Sequence, residues 1–337
     1  MSSTIKHFTD TDGFLFIGDP HISSQRPGRR KDKDFSNRIL GKLERSIQIA
    51  NEKNYVPVIL GDLFDRPYEE SESIKNRVMR ILKKANHKVV CLLGNHCRSN
   101  EKLCDDDSIT ILVSGDAMDL IETSGAYATY ELGGKIIGLG GTPHGEDIPT
   151  SVKDAFGREC DTSIWITHHD LQMERPYPNS IPCHEIEGCK LAVNGHMHLT
   201  KKLRKEGATT WFNPGNITRQ AVDAIDHIPR VFAFTKDGAI EAHEIEHEKD
   251  VFDLTGRLIN SITEDISEDV DPNDAIESAF VRLIEVEDAG DMNESDDGSV
   301  VRELIEQKLQ STDMKPEQAK RVKAHVLSLL NETLAAA

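Results

Sequence analysis

Five short fragments of the sequence carry residue types that bind divalent metals, and each of them follows an apolar run. The side chains on offer are carboxylates, one amide and several imidazoles, which suit hard to borderline divalent cations. Two such cations that share a bridging carboxylate can hydrolyse phosphoesters. In chain order the fragments are Gly18-Asp19-Pro20-His21, Gly61-Asp62-Leu63-Phe64-Asp65, Gly94-Asn95-His96, His168-His169 and Gly195-His196-Met197-His198. The residue types therefore predict a two-metal phosphoester hydrolase.

Buried strands are predicted immediately before the fragments, with amphipathic helices between them. The early strands are expected at Phe14–Ile17, Tyr55–Leu60 and Lys88–Leu93, and the helices at Phe35–Lys53 and Ser73–Ala85. Further strands are predicted at Lys135–Leu139, Ser163–Ile166 and Lys190–Val193. Alternation of continuous apolar strands with helices predicts a mostly parallel sheet, whose ligands lie at the carboxyl ends of its strands.

A second sheet of mainly antiparallel strands is expected from Thr209–Phe212, Arg230–Phe234 and the alternating Ile240–Ile245. The predicted fold class is therefore α/β, a layered sandwich of two mixed sheets flanked by helices. A mainly helical C-terminal appendage completes it. The predicted domains are a catalytic domain over residues 1–249 and an acidic region over 250–337, which would cap the site or bind a partner. Helices are expected there at about 300–310 and 315–334.

The charge of the chain is concentrated in that C-terminal region. The 337 residues carry a net charge of −18, and residues 250–337 contain 21 acidic and 8 basic residues, or −13. The first 249 residues are thus left with −5. Near balance, this part can still bind polyanions locally, but the overall charge argues against strong non-specific DNA binding by the chain alone.

Composition and the N-terminus predict a cytoplasmic protein. No apolar stretch approaches the roughly 20 residues that span a membrane, and residues 1–12 lack the apolar core of a signal peptide. We therefore expect no membrane association. The six cysteines form no CxxC pair, so we expect reduced thiols and no zinc ribbon.

The order of the five fragments resembles that of the calcineurin-like metallophosphoesterase superfamily over about residues 13–248. This resemblance implies that Asp19, His21, Asp62 and His198 surround one metal, and that Asp62 bridges to a second metal held by Asn95, His168 and His196. It also implies that His96 is a catalytic residue, acting as general acid or stabilising the phosphoryl charge. Asp65 would be a second catalytic residue that bonds His96 and fixes its orientation. The two divalent metals are expected to be Mn²⁺, with Fe, Zn or Mg as alternatives.

Two positions in these fragments leave a choice open. Either His168 or His169 could be the ligand after its strand, and we choose His168 because the family usually uses the first histidine. Cys97 follows Gly94-Asn95-His96 at a position where the family often has an acid. The change is either tolerated beside the ligands or alters metal tuning and activity.

Basic residues near the fragments bear on the substrate. Arg26, Arg29, Arg30, Lys31 and Lys33 crowd the loop after His21, and Arg66 follows Asp65. We expect Arg66, Arg29 and Arg30 to bind substrate phosphate. The segment Asn213–Arg219 resembles the Pro-Gly-Ser-x-x-Arg segment of SbcD-like DNA repair nucleases.

The leading hypothesis is a manganese-dependent DNA nuclease that uses a metal-activated hydroxide, with His96 assisting the leaving group. The alternatives are a small-substrate phosphatase or cyclic-nucleotide phosphodiesterase, a Ser/Thr protein phosphatase, and a non-enzymatic scaffold. Similarity to SbcD-like nucleases implies a coiled-coil ATPase partner, which Lys315–Leu334 could contact. A homodimer is a further partner hypothesis.

Overall fold

Two mixed β-sheets stack face to face in the computed structural model, which describes residues 5–174 and 176–253. The strands are β1 Lys6–Phe8, β2 Gly13–Ile17, β3 Tyr55–Ile59, β4 Val89–Leu92, β5 Met118–Ile121, β6 Gly125–Leu132, β7 Lys135–Thr142, β8 Thr162–Thr167, β9 Cys189–Asn194, β10 Lys201–Glu206, β11 Thr209–Asn213, β12 Arg230–Thr235 and β13 Ile240–Glu244. The helices are α1 Phe35–Lys53, α2 Glu72–Leu82 and α3 Ser108–Ser114.

The six-stranded sheet has the order β13-β12-β2-β3-β4-β5, and the seven-stranded sheet has the order β1-β6-β7-β8-β9-β11-β10. Strands β2 to β5 pair in parallel, as do β7, β8, β9 and β11. Antiparallel pairing adds β12 and β13 to one sheet and β10 to the other, and it also joins β6 to β7. The carboxyl ends of the parallel strands are where the five fragments lie.

The expected second sheet of mainly antiparallel strands is wrong as a separate unit. β11 pairs in parallel with β9, while β12 and β13 join β2 in the other sheet. An apolar alternating run indicates a strand but not its neighbour, so the pattern could not assign these strands to a sheet. The wider prediction, two mixed sheets in an α/β sandwich, is confirmed.

Three apolar layers hold the sandwich together. One lies between the six-stranded sheet and the helices, and includes Leu43 of α1 and Val78 of α2. The second lies between the two sheets, where Phe16 and Ile166 pack among other buried side chains. The third covers the outer face of the seven-stranded sheet around Trp211. Both faces of each sheet are therefore covered, as the continuous apolar strands require.

Within the described residues, no helix is long and apolar enough to cross a membrane. The predicted helices at about 300–310 and 315–334 lie outside the described residues. The domain boundary between residues 249 and 250 stays a prediction.

Candidate metal centre

Three groups of side chains that could bind a metal converge where the parallel strands end, and one of them is His21, Asp65 and His96. Asp19, His21 and His198 offer ligand atoms within 4.8 Å of one another, and so do Asp62, His168 and His196. We call these the first trio and the second trio. Asn95 joins the second trio, because its Oδ1 lies 3.1 Å from His168 Nε2 and 3.1 Å from His196 Nδ1. All seven predicted ligands are thus in these two groups, and His21 Nε2 lies 4.0 Å from Asp62 Oδ2 between them.

The ring nitrogen that points away from the trios lies near an oxygen atom in both His168 and His21. His168 Nδ1 lies 2.9 Å from the carbonyl of Leu60, so it carries the proton and donates. His21 Nδ1 is 3.5 Å from Asp65 Oδ1. A carbonyl oxygen can only accept, so the inward Nε2 of His168 is left with a lone pair in the neutral tautomer.

The inward nitrogens of His168 and His21 face ligand atoms of neighbouring side chains. His168 Nε2 lies 3.0 Å from Asp62 Oδ2, and His21 Nε2 lies 3.0 Å from His198 Nε2. Asp19 is only 2% exposed, and neither of its carboxylate oxygens meets a hydrogen-bond donor among the described residues. A buried carboxylate without a donor is costly, and converging acceptors repel unless a cation lies among them. The donor set therefore fits divalent metal ions.

The pKa values of His168 and Asp62 in the second trio also indicate that positive charge is favoured at this site. Burial alone would lower the pKa of His168, but the carboxylates of Asp62 and Asp19 raise it to about 9. Burial likewise would raise the pKa of Asp62, yet His168 and His21 hold it well below its ordinary value. In the metal-free protein a proton on His168 meets this demand, and a metal would replace it.

Backbone conformation around the ligands is unusual. His21, Asp62 and His196 have φ values of 43°, 41° and 65°, in the left-handed region that non-glycine residues rarely adopt. Such conformations persist where the surrounding structure imposes them, often at functional sites. Gly61 has φ of 131°, and a Cβ added there would lie 2.1 Å from His168 Nδ1. A Cβ on Gly94 would lie 2.1 Å from Asp62 Oδ1. These two glycines are required by the ligands of other strands.

His96 lies beside the trios, but the role predicted for the Asp65 carboxylate is wrong. The His96 ring donates from Nδ1 to the backbone carbonyl of Asp65, at 2.6 Å, and the His96 amide donates to Asp62 Oδ1 at 2.9 Å. The Asp65 carboxylate lies 3.5 Å from His21 Nδ1 and accepts a hydrogen bond from Gln220, while one of its oxygens stays within 4.8 Å of a His96 ring nitrogen. Asp65 therefore holds His96 through its main chain and His21 through its side chain.

His168 and His169 have different surroundings. His168 is fully buried between Leu60, Asp62 and Asn95, whereas His169 Nε2 donates to the carbonyl of Glu146 at 2.9 Å. Burial lowers the pKa of His169 to about 4, so this imidazole is neutral. The structure thus brings His168 and not His169 to Asp62, and His168 as the metal ligand stays a prediction.

Cys97 is buried against the carboxylate of Asp62. Its Sγ lies 3.9 Å from Asp62 Oδ1, and burial together with Asp62 raises its pKa to about 12. The side chain is consequently a neutral thiol that can donate weakly to Asp62. Where the family often has an acid, this chain has one negative charge fewer beside its ligands.

Arg30 is not a phosphate ligand, contrary to the prediction. It is 3% exposed and forms a bidentate ion pair with Asp32, with both bonds at 2.8 Å. Its remaining nitrogen donates to the carbonyls of Thr218 and Arg219. Arg30 and Arg219 both lie against the ring of Phe252. The basic loop therefore uses Arg30 for internal packing, because Asp32 two residues later neutralises it. Arg29 is half-buried and Arg66 is exposed; their phosphate contacts stay proposals.

Sequence reasoning missed three features of this region. Asp170, two residues after His168, accepts from His196, and Gln220 contacts Asp65 across a long sequence separation. The acid directly after the histidine pair was a usable signal for Asp170, whereas nothing local marked Gln220. The third feature is β10, a basic edge strand of sequence Lys-Lys-Leu-Arg-Lys-Glu that begins three residues after His198.

A known protein family matches the part of the chain that carries the two trios. The family model described as calcineurin-like phosphoesterase matches residues 13–200. No curated protein sequence matches the chain. Among solved structures, an archaeal phosphodiesterase aligns with 69% of this chain and 99% of its own at 10% identity and a TM-score of 0.36. A 5′-nucleotidase precursor from Thermus thermophilus aligns with 69% and 54% at 11% identity and 0.38. The protein TT1561 from the same organism aligns with 70% and 100% at 12% identity and 0.41.

Proposed function

The chain belongs to the calcineurin-like phosphoesterase family, and from that premise we propose that it is a two-metal phosphodiesterase that cleaves DNA. Membership makes it a metal-dependent phosphoester hydrolase. The two-metal proposal rests chiefly on the arrangement of buried acceptors around Asp62 and Asp19. The two trios share the neighbourhood of Asp62, and buried Asp19 has no hydrogen-bond donor among the described residues. Cations would stabilise this cluster of buried acceptors.

We assign the ligands by their placement. Asp19, His21, Asp62 and His198 would hold one metal, and Asp62, Asn95, His168 and His196 would hold the other. A mixed set of oxygen and imidazole ligands suits Mn²⁺, although it also accepts Fe, Zn or Mg. When bound, the metals would neutralise phosphoryl oxygens and lower the pKa of water, so that a hydroxide nucleophile forms near pH 7.

His96 is the proposed proton donor to the leaving group. Because Nδ1 donates to the Asp65 carbonyl, Nε2 is the nitrogen that can exchange a proton with substrate. The His96 amide also donates to Asp62 Oδ1, so the ring is tied to the same carboxylate as the second trio. A half-buried position lets the ring reach a bound phosphoester.

The support for DNA comes chiefly from β10. Lys202 and Lys205 are exposed on this edge strand, which starts close to His198. At about 3.3 Å per residue the strand extends over roughly 20 Å, the length of several nucleotides. Exposed cations that lead away from a hydrolytic centre would track a polyanionic strand. Arg66, exposed after Asp65, is a further proposed phosphate contact.

Lysines on an edge strand also prevent edge-to-edge association, which would give β10 a purely protective role. The double variant Lys202→Glu/Lys205→Glu distinguishes the two roles. If β10 binds DNA, the variant weakens DNA binding and lowers the salt dependence of binding, whereas hydrolysis of a small diester is unchanged. Lys83→Glu/Lys135→Glu, an exposed pair elsewhere, is the matched control.

The activity itself is tested with Mn²⁺ and four substrates: single-stranded DNA, double-stranded DNA, bis-p-nitrophenyl phosphate and p-nitrophenyl phosphate. We expect diester and DNA cleavage that His96→Ala lowers by about 10²- to 10⁴-fold. His7→Ala, an exposed histidine on β1, should have no effect. Monoester turnover without DNA cleavage would contradict the nuclease and support the small-substrate phosphatase. Turnover of a phosphopeptide alone would support a protein phosphatase.

Partners remain proposals of a different kind. A coiled-coil ATPase could bind through residues 315–334, which lie outside the described residues, and a homodimer is the second proposal. Co-expression with a candidate ATPase, compared with a chain truncated before residue 315, tests the first. Sedimentation of the chain alone tests the second.

A further inference from the structure

Asp170 and Tyr177 form a hydrogen-bonded chain that ends on a proposed metal ligand. Asp170 Oδ2 lies 3.2 Å from His196 Nε2, and the Tyr177 hydroxyl donates to Asp170 Oδ1 at 2.9 Å. On the other side of the same ring, His196 Nδ1 lies 3.1 Å from Asn95 Oδ1. The His196 ring is therefore held between a carboxylate outside the trios and an amide oxygen within them.

The proton on His196 follows from these partners. An ionised carboxylate can only accept, so the contact with Asp170 places the proton on Nε2. The lone pair of Nδ1 then points toward Asn95 and the second trio. Without Asp170 the neutral ring could carry its proton on either nitrogen, and the Nδ1–H form could not bind a metal from that side.

Tyr177 limits the freedom of Asp170. Among the described residues each carboxylate oxygen has one hydrogen-bond partner, with Tyr177 on Oδ1 and His196 on Oδ2. The tyrosine is 39% exposed, so its ring contributes little to the core, while its hydroxyl is committed to Asp170. An exposed carboxylate would otherwise sample several rotamers, and the second partner selects the one that meets His196.

We propose that Asp170 is a positioning residue for His196, and that Tyr177 positions Asp170. This inference rests on the proposed role of His196 as a metal ligand. It identifies no new ligand. Instead, Asp170 and Tyr177, which lie outside the trios, would determine which ring nitrogen of His196 faces the metal. The same pattern occurs at His168, whose Nδ1 donates to Leu60, but there a main-chain carbonyl fixes the ring.

The test measures Mn²⁺ binding by calorimetric titration of the full chain, without substrate. We expect Asp170→Ala to weaken one of the two Mn²⁺ sites by about 10- to 100-fold and to leave the other unchanged. Asp170→Asn keeps an oxygen that can accept from Nε2, and should recover part of the loss. Tyr177→Phe should fall between wild type and Asp170→Ala. Glu174→Gln is the matched control, because Glu174 lies on the same segment but contacts Lys201.

A second readout separates positioning from simple loss of structure. In ¹⁵N-histidine-labelled protein, the His196 ring should show an Nε2–H tautomer in the wild type and a mixture in Asp170→Ala. Unfolding in EDTA should be nearly unchanged, since the Asp170 side chain is partly exposed.

Two results would overturn the inference. In the first, folded Asp170→Ala binds two Mn²⁺ ions with wild-type affinity and an unchanged His196 tautomer. In the second, the wild type itself binds no metal, and the ligand assignment fails with it. A protein that binds Mn²⁺ but does not cleave DNA would contradict the proposed substrate only. The Mn²⁺ affinity and the His196 tautomer are measured without substrate and would not be affected.

Discussion

Replacing Asp19 by asparagine should stabilise the metal-free protein but reduce the stability that the protein gains from Mn²⁺. Asp19 is buried, and its two oxygens meet no hydrogen-bond donor among the described residues. Asparagine has nearly the same shape without the charge. In EDTA the variant therefore loses a buried carboxylate that no hydrogen-bond donor among the described residues satisfies, and it should be more stable than the wild type.

The magnitude follows from the surroundings of the carboxylate. An unsatisfied buried polar group costs about 1–3 kcal/mol, and more when it is charged. His168 Nδ1 lies 4.0 Å from Asp19 Oδ1, so a cationic His168 offsets part of the cost. We expect Asp19→Asn to stabilise the metal-free protein by about 1–3 kcal/mol, or about 2–4 °C of melting temperature per kcal/mol. With Mn²⁺ at about 100 times its Kd, the wild type gains about 2.7 kcal/mol, and the variant loses most of this gain.

Thermal unfolding followed by circular dichroism, with and without Mn²⁺, is the assay. Asp106→Asn, at an exposed carboxylate, is the matched control and should shift neither curve by more than about 0.5 kcal/mol. If Asp19→Asn were less stable than the wild type in EDTA, the carboxylate would be stabilised by something other than a metal, and the reasoning would fail. Equal stabilisation of both proteins by Mn²⁺ would remove Asp19 from the ligand set.

Three further perturbations follow from the same contacts. Burial, with Arg30 and Arg219 nearby, lowers the pKa of Lys42 to about 7. Between about pH 7 and 10.5 the Lys42 ammonium therefore keeps its proton in the unfolded chain but not in the folded protein. The free energy of unfolding of the wild type should rise across that window by up to about 1.4 kcal/mol per pH unit relative to Lys42→Met, as urea titrations would show. Cys97→Asp places a carboxylate about 4 Å from that of Asp62, which should destabilise the metal-free protein by up to about 4 kcal/mol and tighten Mn²⁺ binding, as calorimetry would show. Gly94→Ala must displace Asp62, and should weaken calorimetric Mn²⁺ binding more than it lowers the stability to unfolding in EDTA.

The strands and the convergence of the candidate ligands were predictable because one physical rule connects them. A continuous apolar run predicts a strand covered on both faces, and the carboxyl ends of parallel strands meet at one edge of a sheet. The observed strands Gly13–Ile17, Tyr55–Ile59 and Val89–Leu92 agree with the predicted ones to within about two residues at each end. The edge strand β10 escaped prediction because it carries charge at nearly every position and has no apolar alternation.

The partners of the ligands could not be predicted, since they depend on side-chain direction. Asp65 lies in the expected loop, but its carboxylate meets His21 and its carbonyl meets His96. Arg30 lies in a basic run, yet its pairing with Asp32 turns it into the interior. A charge pattern gives the position of such residues along the chain and leaves open whether they face solvent or core.

The joint occurrence of the five fragments is informative because the fragments depend on one another physically. Gly61 belongs to one fragment, but its missing Cβ makes room for His168 of another. Gly94 likewise makes room for Asp62, and the His96 amide beyond it donates to the same carboxylate. A glycine-acid or glycine-amide pair alone indicates only a turn. Here each glycine lies against a candidate ligand supplied by a different strand. The glycine in one fragment therefore has a structural role only when the other fragment is present. The chance of a fortuitous match therefore falls with every fragment added.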